Sequence, residues 1–181
     1  MVDSLVSMKL SSFDHAAVMA ALDRQRIDRG LTWPALAEEL HEQSSHLNAQ
    51  LDGPGMCSGA LVRTAKRDFM SCQYAMTLLR WLDSPPEAFL AASAADVGEC
   101  RLPRVGPESR LRWDLPQLYA NLNERRRERQ LTWAALSDEL GRTPARLTNL
   151  RTARLADMAL TMRITQWLSR PAAAFVHPAQ W

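Results

Sequence analysis

Apolar residues recur along this chain at three- and four-residue intervals, the spacing of amphipathic helices. In the second half, Leu115, Leu118 and Leu122 form one such stripe. Asp114 stands as its N-cap, with Pro116 in the first turn and Gln117 at the capping-box position. Thr132 predicts the cap of a second helix, in which Leu136 and Leu140 lie four apart and Gly141 is the stop. Thr143-Pro144 predicts a third, short helix with Leu147 and Leu150 as its inner stripe. A fourth covers roughly 156–169 and buries Ile164, Trp167 and Leu168; Pro171 then opens a last turn holding Phe175. The first half follows the same order. Asp14 and Thr32 cap its first two helices, Leu61 anchors the third, Leu78, Trp81 and Leu82 the fourth, and Phe89 closes it.

The shared order reflects a duplication. RGLTW at 29–33 returns as RQLTW at 129–133. Shifted by 100, residues 13–40 and 113–140 agree at twelve of 28 positions without a gap. Shifted by 86, residues 57–90 and 143–176 agree at seven of 34, Leu61, Trp81 and Phe89 among them. The two offsets differ by 14, so the first copy carries that many extra residues between Leu40 and Cys57. Two copies are too few for a solenoid. The expected organisation is a first unit at 13–90 with an insert near 41–56, a linker at 91–112 rich in small residues, Gly and Pro, and a second unit at 113–176.

Charge separates the copies. Residues 1–100 hold 8 basic and 13 acidic side chains, net −5, whereas residues 101–181 hold 14 and 7, net +7. A polyanion would be drawn to the second half. Of the 22 basic residues only Lys9 and Lys66 are lysine. Arginine suits bidentate contacts to phosphate or carboxylate, and a GC-rich genome would give the same bias.

LTWAALSDELGRTPARLTNLR (131–151) combines a capped helix, a glycine turn and a short helix anchored by Leu147. It resembles the XRE-type (lambda-repressor-like) helix-turn-helix family, and WLDSPPEAF and WLSRPAAAF resemble that family's closing segment. The resemblance implies an all-α fold of two tandem helix-turn-helix bundles, about five short helices in each. It also implies that the third helix enters the major groove. On this sequence Arg146, Thr148 and Asn149 would then face bases, where Arg can pair with guanine and Asn with adenine. Thr143 would contact the DNA backbone, and Arg142, Arg151 and Arg154 would meet phosphates. Trp33 and Trp133 stand where the family often has Gln; each either donates to a phosphate or packs as an anchor.

The first copy departs from this pattern. His41 replaces the turn glycine, and the extra residues fall inside the turn. Its third helix is then SGALVRTAK, where Ser58 and Arg63 are candidate DNA contacts and Lys66 and Arg67 candidate phosphate contacts. Val62 could meet a thymine methyl. An alternative register puts the reading helix at 44–51; the later one aligns with the second copy through Phe89 without a gap and is preferred.

Enzymatic signatures are missing: the sequence has no phosphate-cradling Gly-rich loop, no HExxH and no nucleophile elbow. No cofactor is implied. His41 and His46 share the insert, as a metal pair or as solvated loop residues. Cys57 near a helix start would have a lowered thiol pKa, as a redox switch or as an ordinary free thiol. The N-terminus lacks a signal-peptide pattern, and no stretch approaches the ~20 apolar residues of a membrane helix. With three unpaired cysteines, the expectation is a cytoplasmic bacterial or phage protein. The expected function is sequence-specific transcriptional regulation on double-stranded DNA, the two units acting as a pseudo-dimer with the second the stronger reader. The first unit could also bind another protein or a second copy of the chain. The alternative is a protein–protein adaptor or antitoxin-like partner protein.

Overall fold

The computed structural model describes residues 10–51, 58–67, 69–92 and 97–181. Cys57 and the stretch 1–9, on which two of the expectations above fall, lie outside them. In chain order the elements are α1 (His15–Asp28), α2 (Trp33–Glu42), α3 (Ser45–Leu51), α4 (Ser58–Ala65), α5 (Cys72–Leu82) and a 3-10 turn at Pro86–Phe89. There follow strand β1 (Arg110–Trp113), α6 (Leu115–Glu128), α7 (Trp133–Leu140) and α8 (Pro144–Thr148), which tightens into a 3-10 turn at Asn149–Arg151. The chain ends with α9 (Met158–Leu168), a 3-10 turn at Ala172–Phe175 and strand β2 (Val176–Ala179).

The protein is therefore mostly helical, but not purely so. β1 pairs antiparallel with β2, Arg110 opposite Ala179 and Trp113 opposite Val176. This small sheet corrects the all-α expectation, and residues 110–112, expected in the linker, belong to it. The segment RLRW alternates as a strand should: Leu111 and Trp113 are buried while Arg110 and Arg112 are half-buried. At the equivalent place the first half forms one isolated bridge, Phe13 to Leu90.

Below that level many bonds repeat between the two halves. Asp14 accepts from the Ala17 amide at 2.8 Å and Asp114 from the Gln117 amide at 2.8 Å. Thr32 and Thr132 cap the next helices through the Ala35 and Ala135 amides. Arg26 and Arg126 donate to the Leu31 and Leu131 carbonyls. The Trp81 indole donates to Glu39 at 2.9 Å, and the Trp167 indole to Glu139 at 2.7 Å. Asp83 and Ser169 both end their helices in the left-handed region, at φ 48° and 52°.

The halves share one core. α5 and α9, which occupy equivalent positions, pack together, and Leu78, Leu79, Ile164 and Trp167 belong to the same buried cluster. The Cys72 amide donates to Ala156 O at 2.8 Å, and the Met158 amide to Met70 O at 2.8 Å. These are the same two bonds under the 86-residue offset, the mark of an isologous, two-fold contact. Equivalent positions on the two helices also grip the segment leading into the other half. Gln166 binds both backbone groups of Ser11, at 2.8 and 3.0 Å. Arg80 donates to the carbonyls of Val105, Gly106 and Ser109. Residues 102–109 are thereby fastened down, with Leu102 and Val105 packed on the core.

The described part of the insert, residues 41–51, is mostly helical. α2 runs past the point where α7 stops, Gln43 keeps right-handed backbone angles, and the chain turns at Ser44 into α3. Leu47 is 1% exposed, and its amide donates to Pro107 O at 3.2 Å.

Candidate nucleic-acid interface

Gly141 sets the direction of α8. It ends α7 at φ 60°, a conformation that side chains disfavour and glycine accepts. The Gly141 and Arg142 amides return to the Asp138 and Ser137 carbonyls, and the Arg163 guanidinium donates to Leu140 O at 2.8 Å. Thr143 takes the extended angles of an N-cap with no side-chain capping bond, and Pro144 begins the helix. Leu147 and Leu150, 0% and 2% exposed, hold its inner side on α6 and α7.

The outer side carries the candidate readers. Thr143, Arg146, Asn149, Arg151 and Arg154 are exposed. Arg146 and Asn149 are three apart where the helix tightens, so they line up on one side in either helical geometry. Among the described residues, the side chains of Arg146, Arg151 and Arg154 form no ion pair. Thr148 is half-buried and its hydroxyl turns back to the Pro144 carbonyl at 3.1 Å. Arg142 is half-buried too, with Nη1 on Gly141 O at 2.9 Å and a buried Nε that has no partner among the described residues. Beside it, Arg163 has its pKa lowered, first by burial and then by the Arg142 charge. Two arginines crowded at one turn form a positive corner that an anion would relieve. Arg163 was missed in the sequence because it sits on the core helix α9, not on the helix-turn-helix segment.

In the first half α4 packs on α2 as α8 packs on α7, with Leu61 at 0% exposure in the place of Leu147. Arg63, Lys66 and Arg67 are exposed and Ser58 is half-buried. Arg67 lies over the Phe69 ring at 5.7 Å. The alternative reader, α3, is tied by Leu47 to Pro107 and by Asn48 to Arg110 and His41. That places it against the segment joining the halves. His41 is engaged by Asn48 at 3.1 Å, and among the described residues no cluster of three metal-ligating side chains occurs.

Trp33 and Trp133 pack against the core. Arg26 stacks over Trp33 at 4.8 Å and Arg126 over Trp133 at 4.7 Å, with Tyr119 parallel to the second ring at 5.8 Å. Cys72 is fully buried and its thiol is pushed up to about 11, chiefly by burial, so it is inert as a nucleophile. Among the described residues no helix is long and apolar enough to cross a membrane.

Family models, curated proteins and solved structures all return no match to this chain. The functional reading therefore rests on the geometry of these residues.

Proposed function

We propose that the protein is a sequence-specific DNA-binding transcriptional regulator. On this reading each half is a lambda-repressor-like helix-turn-helix bundle, the two form a pseudo-dimer in one chain, and the second is the stronger reader. The observation that carries it is the outer side of α8: Arg146 and Asn149 exposed and aligned, flanked by Arg151 and Arg154, which form no ion pair among the described residues. Arg146 would pair with guanine, Asn149 with adenine, and the flanking arginines would neutralise phosphates. The shared core of α5 and α9 supports the pseudo-dimer, since it relates the halves by an approximate two-fold. Two readers on one side of the duplex would meet half-sites about one turn, ~34 Å, apart. Because Arg63, Lys66 and Arg67 replace the second half's set, the half-sites would differ. Such a regulator would work in the cytoplasm.

Random-oligonucleotide selection with the intact chain tests this. An enriched bipartite motif supports two readers, a single short motif supports the second half alone, and no enrichment overturns the proposal. A second reading, a protein–protein adaptor, draws on the first half. Its net charge is negative, and Val62 on α4 and nearby Phe69 are 38% and 57% exposed. Loss of a protein partner on Phe69→Ser, with DNA binding absent, would favour it.

A further inference from the structure

Where Ser71 and Asp157 bridge the halves, burial alternates along both segments as it does in strands. Met70, Cys72 and Met158 are buried in the core. Phe69 and Leu155, two residues before Ser71 and Asp157, are 57% and 63% exposed. Opposed residues of an antiparallel pair project to one side, and so do residues two apart on a strand. Phe69 and Leu155 therefore share the outer side of the bridge. They are also equivalent under the 86-residue offset, so one stands on each side of the pseudo-two-fold axis. Single exposed apolar residues scattered over a surface are ordinary, but a large apolar pair placed about an axis marks a contact.

The surroundings of the pair give the chemistry of its partner. Arg67 lies over the Phe69 ring at 5.7 Å, and the exposed Arg154 directly precedes Leu155. Segments 66–71 and 151–157 together carry Lys66, Arg67, Arg151 and Arg154 against Asp68 and Asp157. Asp68 lies outside the described residues, and Asp157 is half-buried with its Oδ1 turned away from solvent. An apolar pair with a cationic rim matches a polyanion with an apolar interior, as stacked bases between phosphates present.

The regulator reading, on which this inference rests, gives that polyanion an orientation. Both segments follow directly from the candidate readers, α4 and the turn that ends α8, so the bridge joins the two readers at the axis. Readers in successive major grooves on one side of a duplex leave the minor groove facing the axis between them. By strand geometry the Cα atoms of Phe69 and Leu155 are roughly 14 Å apart, less than half the ~34 Å between half-sites, so both fall over the central base pairs. We propose that Phe69 and Leu155 are apolar wedges that enter the minor groove at the centre of the site, part its base steps and bend the duplex toward the major groove. Apolar burial offsets the cost of unstacking, which is lowest at flexible pyrimidine–purine steps.

The test compares the full chain with its double variant Phe69→Ala, Leu155→Ala, both substitutions being at exposed positions. Each goes through random-oligonucleotide selection. Gel mobility of circularly permuted fragments carrying the parent's motif then reads the bend, and titration of the same motif over a salt series reads affinity. The parent is expected to enrich TA or CA/TG steps between the half-sites and to bend the duplex by about 20° or more. The double variant should lose the central preference and the bend and bind about fivefold more weakly, while keeping the half-site motifs and the salt slope, because no phosphate contact is removed. A straight duplex with the parent, or an unchanged centre and bend with the variant, overturns the proposal and leaves the regulator reading standing. No enrichment with the parent overturns both. Sedimentation addresses a second copy of the chain as the occupant: self-association that the variant loses, with DNA binding and bend unaltered, assigns the pair to an interface between copies and overturns the wedge.

Discussion

Ser71 and Asp157 face each other in an antiparallel bridge at the seam between the halves, each preceding the helix that its half contributes to the shared core. Their side chains differ in use. Ser71 accepts from the Tyr74 amide at 3.2 Å and caps α5, whereas Asp157 makes no capping bond and its buried Oδ1 has no partner among the described residues. Asp157→Ser would install the first half's solution and remove the unmatched carboxylate oxygen. The expected gain is about 1 kcal/mol in equilibrium denaturation. Unchanged or lower stability would mean that the carboxylate has a partner not described here.

Under the proposed regulator reading, Arg146 and Arg151 would separate reading from attraction. Arg146→Ala should cost ~1–3 kcal/mol at one base position and relax specificity there. Arg151→Ala should weaken binding to all sequences alike and flatten the salt dependence by about one counterion. Competition binding on substituted sites over a salt series distinguishes them, and affinities that ignore salt would count against DNA as the partner.

Glu139 takes hydrogen bonds from Arg129 at 2.7 Å and from Trp167 at 2.7 Å, joining the end of α6 to α7 and α9. Burial raises its pKa, but the bonds from Arg129 and Trp167 and the Arg129 charge outweigh it and hold the carboxyl below its usual value. A depressed folded-state pKa stabilises above the ordinary carboxylate pKa of ~4.3 and is lost as pH falls through the folded value. Glu139→Gln should therefore lower the melting temperature at pH 7, with the gap to the parent closing as pH falls below the ordinary carboxylate range. Because the site is largely solvated, a cost of at most about 1 kcal/mol is expected.

Glu87 behaves in the opposite sense. It bridges the halves by accepting from the Ala172 amide at 2.7 Å, and burial pushes its carboxyl up despite that bond. A raised folded-state value means that ionisation destabilises the fold as pH rises through it, and acid relieves the cost. Glu87→Gln keeps an acceptor for Ala172 and removes the charge. The variant should melt higher than the parent at pH 7, by the equivalent of up to about 1 kcal/mol, with the gap shrinking toward pH 4.

How much of this was legible in the sequence depended on whether the signal was local. Asp14, Asp114, Thr132 and Gly141 act through neighbours three or four residues away, and each stands in the structure where its chemistry placed it. Leu147 and Leu150 fall on the buried side of α8 as their spacing required. β1 was not legible, because four alternating residues flanked by Pro and Gly are strand only when Val176–Ala179 comes alongside. α3 entered only as the alternative reading helix at 44–51, and its actual place was not legible because its one buried apolar residue, Leu47, docks beside the backbone of Pro107. At the Ser71–Asp157 bridge the halves are joined by main-chain bonds, which residues of any type can make, so these two positions left no mark of it. Arg146 and Asn149 were found as candidates by resemblance.

The covalent join has a consequence for how the two faces can change. In a homodimer every substitution appears twice, so an alteration useful on one face is imposed on the other. Here Phe13 and Trp113, or Ser71 and Asp157, stand at equivalent positions of the two halves and have diverged independently. Dilution does not separate them either, since one gene product always delivers both faces in fixed proportion.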